Sequence, residues 1–264
     1  MTRALYAAAA LCGREIVRFV RERTRVLGAL VQPLLFWGLF GAGLRASFRV
    51  PQGGDPQGYA EYLFPGTVVL ILLFTAIFST ISLIEDRREG FLQGVLAAPI
   101  PRASLVLGKV LGGTALALAQ GVLVLACGPL AGVSLSARAV AASVALMGVT
   151  AFALTSLSFC IAWRMDSTQG FHAVMTVFLM PLWLLSGAFF PAAGAPAWLR
   201  ALMAVNPLTY ALALFRRALY PSGSPALAGL PPAGASLAVT LLFAAATFAA
   251  GLLLARRTGS GRRP

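Results

Sequence analysis

Glu85-Asp86-Arg87-Arg88-Glu89-Gly90-Phe91-Leu92-Gln93-Gly94-Val95-Leu96-Ala97-Ala98-Pro99 separates two long apolar runs, and how it is read sets the architecture. Residues 85 to 89 are all ionisable, too costly to hold in hydrocarbon, so here the chain must leave the membrane. Phe91, Leu92, Val95 and Leu96 follow at i, i+1, i+4 and i+5, one face of a helix. Asp86 and Glu89 fall in the first turn of a helix drawn over Asp86–Ala98, where the helix dipole favours negative charge. Pro99 closes it. The segment reads as a short amphipathic helix between two membrane helices, within reach of a partner outside the bilayer. An ordinary surface linker is the alternative.

Working outward, the chain is 59% hydrophobic and 11% charged. A soluble domain carries about 25% charge, so the composition describes an all-α integral membrane protein. Runs of about 20 apolar residues are expected as spans at Val26–Leu44, Phe64–Ile84, Val110–Leu130, Ala139–Trp163, Phe171–Phe190 and Ala235–Ala255. Six spans place both termini on one side, and the arginine distribution makes that side cytoplasmic. Fifteen Lys and Arg then face inward against six outward, the six being Arg45, Arg49, Arg138, Arg200, Arg216 and Arg217. The net charge of +13 is thereby assigned to topology and anionic lipid, not nucleic acid.

Residues 1–25 form a separate unit before the transmembrane domain 26–255 and a basic cytosolic tail 256–264. Arg14, Arg18, Arg21 and Arg25 recur at helical spacing, with Leu5, Cys12, Ile16 and Phe19 opposite. That pattern predicts an amphipathic helix lying in the interface, apolar face down; arginines that only set topology are the alternative. No cleavable signal peptide is expected. Cys12, Cys127 and Cys160 read as small buried hydrophobes. Near the end, Ala197–Tyr220 is too apolar for a solvated loop, yet Asn206-Pro207 interrupts it. A re-entrant pair of short helices at the outer face, before the last span, fits.

The chemistry-bearing patterns are absent. Gly108-Lys109 is followed by Val110, and position 103 is alanine, so no phosphate loop is present. His172 is the only histidine, which leaves no metal site to read and no cofactor for this chain. No Asp, Glu, Lys or Arg stands mid-span, where ion-coupled carriers keep theirs. Energy therefore comes from elsewhere. An ion-coupled carrier, a membrane scaffold and an intramembrane enzyme stay open as rivals.

Three places carry a family resemblance: Gln32-Pro33-Leu34-Leu35-Phe36; Phe64-Pro65-Gly66 with Glu85 through Pro99 and Gly108-Lys109; and Ser186-Gly187-Ala188-Phe189-Phe190-Pro191 with Asn206-Pro207-Leu208-Thr209-Tyr210 and Arg216. Together they resemble the ABC-2 type permease subunits of bacterial ATP-binding-cassette exporters, in the style of daunorubicin-resistance and nodulation-factor export. Gln93, Ala98 and Ala211-Leu212-Ala213 depart from residues common in that family. The resemblance implies a bacterial inner-membrane permease, dimeric (a homodimer is expected), working with two ATPase subunits that bind the ATP and Mg. Glu85 through Gly90, Phe91, Leu92, Val95, Leu96 and Pro99 would belong to its coupling helix. Ser186, Gly187, Phe190, Pro191, Asn206, Pro207, Tyr210 and Arg216 would belong to an outer gate.

Overall fold

The structure, a computed structural model, describes residues 2–43 and 58–257. Among the described residues there are ten α-helices and no strands: α1 (Thr2–Arg21), α2 (Arg23–Gly43), α3 (Tyr59–Arg88), α4 (Phe91–Ala97), α5 (Arg102–Leu125), α6 (Ala137–Ala162), α7 (Thr168–Trp183), α8 (Ala197–Val205), α9 (Pro207–Leu219) and α10 (Ala233–Arg257). Arg45, Arg49 and the tail beyond Arg257 lie outside the described residues.

Six helices are long and apolar enough to span: α2, α3, α5, α6, α7 with its continuation to Ala188, and α10. The chain is thus an all-α multi-pass membrane protein. Helix α3 is the central stave. Its most apolar window is 89% buried, against 17% in α2 and 22% in α10, because α2, α5, α6, α7 and α9 all pack on it. Helices α8 and α9 meet at 84° at Asn206, so 197–219 is a bent pair and not a straight rod.

The breaks follow from backbone chemistry. Gly90 holds φ +80, a left-handed conformation that costs an L side chain about 1–2 kcal/mol. It ends α3 and lets a new helix start at Phe91. Ala98 is extended, as a residue before proline prefers, and Pro101 leads into α5. Consequently the single helix expected over Asp86–Ala98 is two pieces. Glu85, Asp86, Arg87 and Arg88 are the last turn of α3, and only Phe91–Ala97 forms the separate α4.

Close helix contacts rest on small residues. A Cβ at Gly108 would lie 2.7 Å from both the Ala8 carbonyl oxygen and Leu11 Cβ. One turn on, a Cβ at Gly112 would lie 2.8 Å from Glu15 Cβ. These two glycines let α1 lie directly on α5. Gly66 does the same for α3 and the turn after α7, where Ala188 Cβ would be 2.6 Å away.

Gly108→Val should therefore destabilise the full chain by about 1–3 kcal/mol through overpacking. The readout is a lowered melting temperature in detergent, with Gly148→Ala, which meets nothing within 4 Å, unaffected or slightly stabilised. Equal melting temperatures for Gly108→Val and the wild type would show that α1 does not rest on α5.

Candidate functional site

Two groups of side chains stand at opposite ends of α3. From Tyr62 to Asp86 the helix rises about 36 Å at ~1.5 Å per residue, close to the thickness of a bilayer core.

At the α4 end, Asp86 is fully buried. Its Oδ1 accepts from Arg14 Nη2 at 2.7 Å and Arg18 Nη1 at 2.7 Å; its Oδ2 accepts from Arg14 Nη1 at 3.0 Å and from Lys109 Nζ. Lys109, on α5, also donates to Glu15 Oε1 at 2.6 Å, and Ser82 donates to the other Glu15 oxygen. Glu85 accepts from Arg18 at 2.8 Å and from Arg25, which also pairs with Glu22. With Glu89 at 3.4 Å from Arg18, four cations meet five carboxylates. Glu15, Asp86 and Lys109 are the buried members, and their burial is tolerable because each is paired and further hydrogen-bonded. The Asp86 carboxylate holds the Arg14 guanidinium above its ordinary pKa, so this cation persists at any physiological pH.

The arginine stripe turns inward and is shared by two helices, because the unit expected over 1–25 ends at Arg21. Arg14 and Arg18 of α1 and Arg25 of α2 serve α3, and only Arg21 of the four is exposed. Phe19, expected to face lipid, is buried in the stripe Ala8, Leu11, Glu15 and Phe19, while Leu5, Tyr6, Val17 and Val20 are exposed. Helical periodicity separates two faces; it does not say which one meets protein. The pairing of Glu15 with Lys109 is not readable from sequence, although Gly108-Lys109 carries part of the family resemblance. The two residues lie 94 residues apart, and no local pattern links them.

Helix α4 hangs from this cluster. Arg14 stacks on the Phe91 ring, its guanidinium carbon 3.7 Å from the centroid. Leu92 is buried in the bundle core, and Phe91, Val95 and Leu96 pack partly against it. Leu92 is therefore no outward anchor; Gln93, Gly94, Ala97 and Pro99 are the exposed positions. An open apolar groove of about 370 Å³ runs between α1 and α4, lined by Ala7, Leu11, Phe91, Gly94, Val95 and Ile100 among others. Beside it, Arg87 donates to the Met165 carbonyl and to Asp166, each at 2.9 Å, and to the Trp163 carbonyl. That clamps the α6–α7 turn to α3.

At the other end, α7 continues into a π-helical turn, Leu184–Ala188, broken at Gly187 with φ +83. A broken helix leaves carbonyls without their ladder partners, and inside a membrane each must be met by protein. Tyr62 Oη donates to the Gly187 carbonyl at 2.9 Å, as does Arg216 Nη2 at 2.9 Å. Tyr59 Oη donates to the Phe189 carbonyl at 3.0 Å. Trp183 Nε1 donates to the Gly66 carbonyl at 2.7 Å, and Ser186 Oγ to the Trp183 carbonyl at 2.6 Å. Asn206 works twice: Nδ2 donates to the Leu182 carbonyl at 2.6 Å, while Oδ1 caps α9 by accepting from the Leu208 amide at 2.9 Å. Pro207 occupies the first position of α9, where its missing N–H costs nothing. Tyr210 Oη donates to the Ala204 carbonyl at 2.8 Å, near the surface. The structure brings Ser186, Gly187, Asn206, Pro207 and Arg216 together with Tyr62, which the sequence reads as an aromatic anchor at the interface and not as part of this group. Phe190 is half-buried beside them, and Pro191 leads into the 3₁₀ turn Ala192–Gly194.

Among the described residues no group of His, Cys, Asp and Glu has the makings of a metal site. The ionisable side chains of the spanning helices lie within about two turns of a helix end, with ~3.6 residues to the turn.

The family model of the ABC-2 type transporter matches residues 6–220, from within α1 through α9. The chain is similar to a putative transport permease, ycf38, of Cyanophora paradoxa: 27% identical over 205 residues, covering 76% of this chain and 70% of that protein. It is similar to nodulation protein J of Sinorhizobium fredii, 27% identical over 206 residues, covering 76% and 77%. It is also similar to the inner membrane transport permease YadH of Escherichia coli, 24% identical over 219 residues, covering 80% and 81%.

The ion cluster makes a sharp energetic prediction. Glu15→Gln or Lys109→Met alone should each cost about 1–3 kcal/mol, since either takes one charged partner out of a buried, shared cluster whose other pairs remain. The double variant should cost less than the sum by at least ~1 kcal/mol. Chemical unfolding of the four proteins reads this out, and strict additivity would mean the two groups do not interact.

Proposed function

The chain belongs to the ABC-2 type transporter family, and from that premise we propose that it is the membrane-spanning permease of an ATP-driven exporter in a bacterial inner membrane. It works as a dimer, with a second copy of itself as the expected partner, alongside two ATP-binding-cassette ATPase subunits. Those subunits hold ATP and Mg and perform the hydrolysis; this chain is not an enzyme. The cargo is an amphipathic molecule, drug-like, lipid-linked or saccharide-bearing. Both termini are cytoplasmic.

The observation that carries this reading is the placement of α4. It is a short helix set off by Gly90, seated against α1 and presenting Gln93, Gly94 and Ala97 outward beside an apolar groove. A helix–groove contact with an ATPase needs such a projecting element. ATPase closure would move α4 and switch the packed spans between inward- and outward-open arrangements. The bent α8–α9 pair and the Gly187 turn would form the outer gate. One observation favours the rival ion-coupled carrier: Glu15, Asp86 and Lys109 are ionisable and buried. Each is already matched by an opposite charge, and the cluster stands near an end of α3 and not at its middle.

Gln93→Arg with Ala97→Arg should reduce co-purification of the ATPase at least tenfold while the permease still inserts and elutes as the wild type does. Wild-type recovery of the ATPase with this variant would remove α4 as the docking element. In a background without native cysteines, Ala97→Cys should react with a membrane-impermeant maleimide in inverted vesicles, and Ser222→Cys in intact spheroplasts. The reverse pattern would invert the topology.

A further inference from the structure

A partly enclosed cavity of about 40 Å³ lies at the α8–α9 end, lined by Tyr62, Ser186, Gly187, Met203, Thr209 and Arg216 among others. Arg216 is only 3% exposed. Its Nη2 donates to the Gly187 carbonyl at 2.9 Å and the Tyr62 carbonyl at 3.4 Å, and its guanidinium carbon stands 3.9 Å from the Tyr62 ring centroid. Its Nε is buried and has no hydrogen-bond partner. Among the described residues no carboxylate lies within 4.0 Å of it, whereas the buried cation Lys109 at the opposite end has two.

Two carbonyls and a ring face supply partial negative charge only. Arginine does not deprotonate to escape burial, so the site holds a whole positive charge with a donor to spare. The guanidinium fork matches carboxylate and phosphate oxygens. Space agrees with chemistry: a water needs about 10–15 Å³ of such volume, so the cavity admits an acidic head group but not an apolar tail. Hydroxyls of Ser186 and Thr209 line the same wall; each donates its one hydrogen to a backbone carbonyl, so the donor offered to an anion is the guanidinium.

We propose that the Arg216 cavity is a binding site for an oxyanion group, carboxylate or phosphate, and that the exported amphipath carries it. The second clause rests on the exporter reading. The first does not.

The test uses the full chain alone, without ATPase or nucleotide, in neutral phosphatidylcholine nanodiscs. Inorganic phosphate should raise the apparent melting temperature saturably, by about 3–5 °C at saturation, relative to sodium chloride of equal ionic strength. A parallel arm replaces part of the phosphatidylcholine with phosphatidylglycerol. Arg216→Gln should abolish the shift. Arg216→Lys, which keeps the charge and loses the fork, should weaken it several-fold. Ala213→Val, which fills the cavity and leaves the guanidinium in place, should abolish it too and decides the matter if Arg216→Gln fails to fold. An Arg216-dependent shift with phosphate supports a site open to free or substrate-borne anions; one seen only with phosphatidylglycerol supports the same site filled by a lipid head group. Shifts equal in wild type and Ala213→Val, or absent from both arms, overturn the proposal. Because no ATPase is present, this result stands or falls apart from the α4 docking experiment.

Discussion

A carboxylate with no exposure to water, at the last turn of the most buried helix, is the constraint that organises the α4 end of the molecule. Asp86 cannot stay ionised there without cations, and its own helix turns Arg87 toward the α6–α7 turn and Arg88 outward. The cations come from α1 and α5 instead. That draws α1 across the base of the bundle, and the glycines of α5 let it come close. Hydrophobic replacement of such a cluster is often no less stable. Its value here is specificity: only one register of α1 lets Arg14 and Arg18 reach Asp86 while Glu15 reaches Lys109.

The far end obeys a related rule with different groups. Breaking α7 at Gly187 strands carbonyls, and tyrosine, arginine and asparagine side chains from α3, α9 and the α8–α9 bend meet them. Hydrogen bonds there cross between elements instead of running along one helix.

Much of this was legible beforehand. Six spans stand out because twenty apolar residues in a row have few other uses, and Asn206-Pro207 betrays the α8–α9 bend because asparagine followed by proline is a helix-start signal, borne out by the Asn206 cap on α9. Gly90 was misjudged: within a charged run a glycine gives no sign of whether its φ is positive, and a break became a continuous helix. The Arg14–Arg25 stripe was recognised as a face and assigned to the wrong neighbour, because amphipathic periodicity is blind to whether polar groups meet lipid or protein. Glu15 gave no signal, and Lys109 and Tyr62 stood in recognisable motifs without their partners, because those partners are remote along the chain.

The left-handed hinge at Gly90 has a mechanical implication. With the helix interrupted there, α4 is not the end of a rigid rod running on from α3. Its support is lateral: the Phe91 ring lies on the Arg14 guanidinium, which in turn holds Asp86, while Leu92 reaches the bundle core. The joint is a bracket and not a piston: α4 keeps its place by side contacts, without a continuous helical ladder behind it.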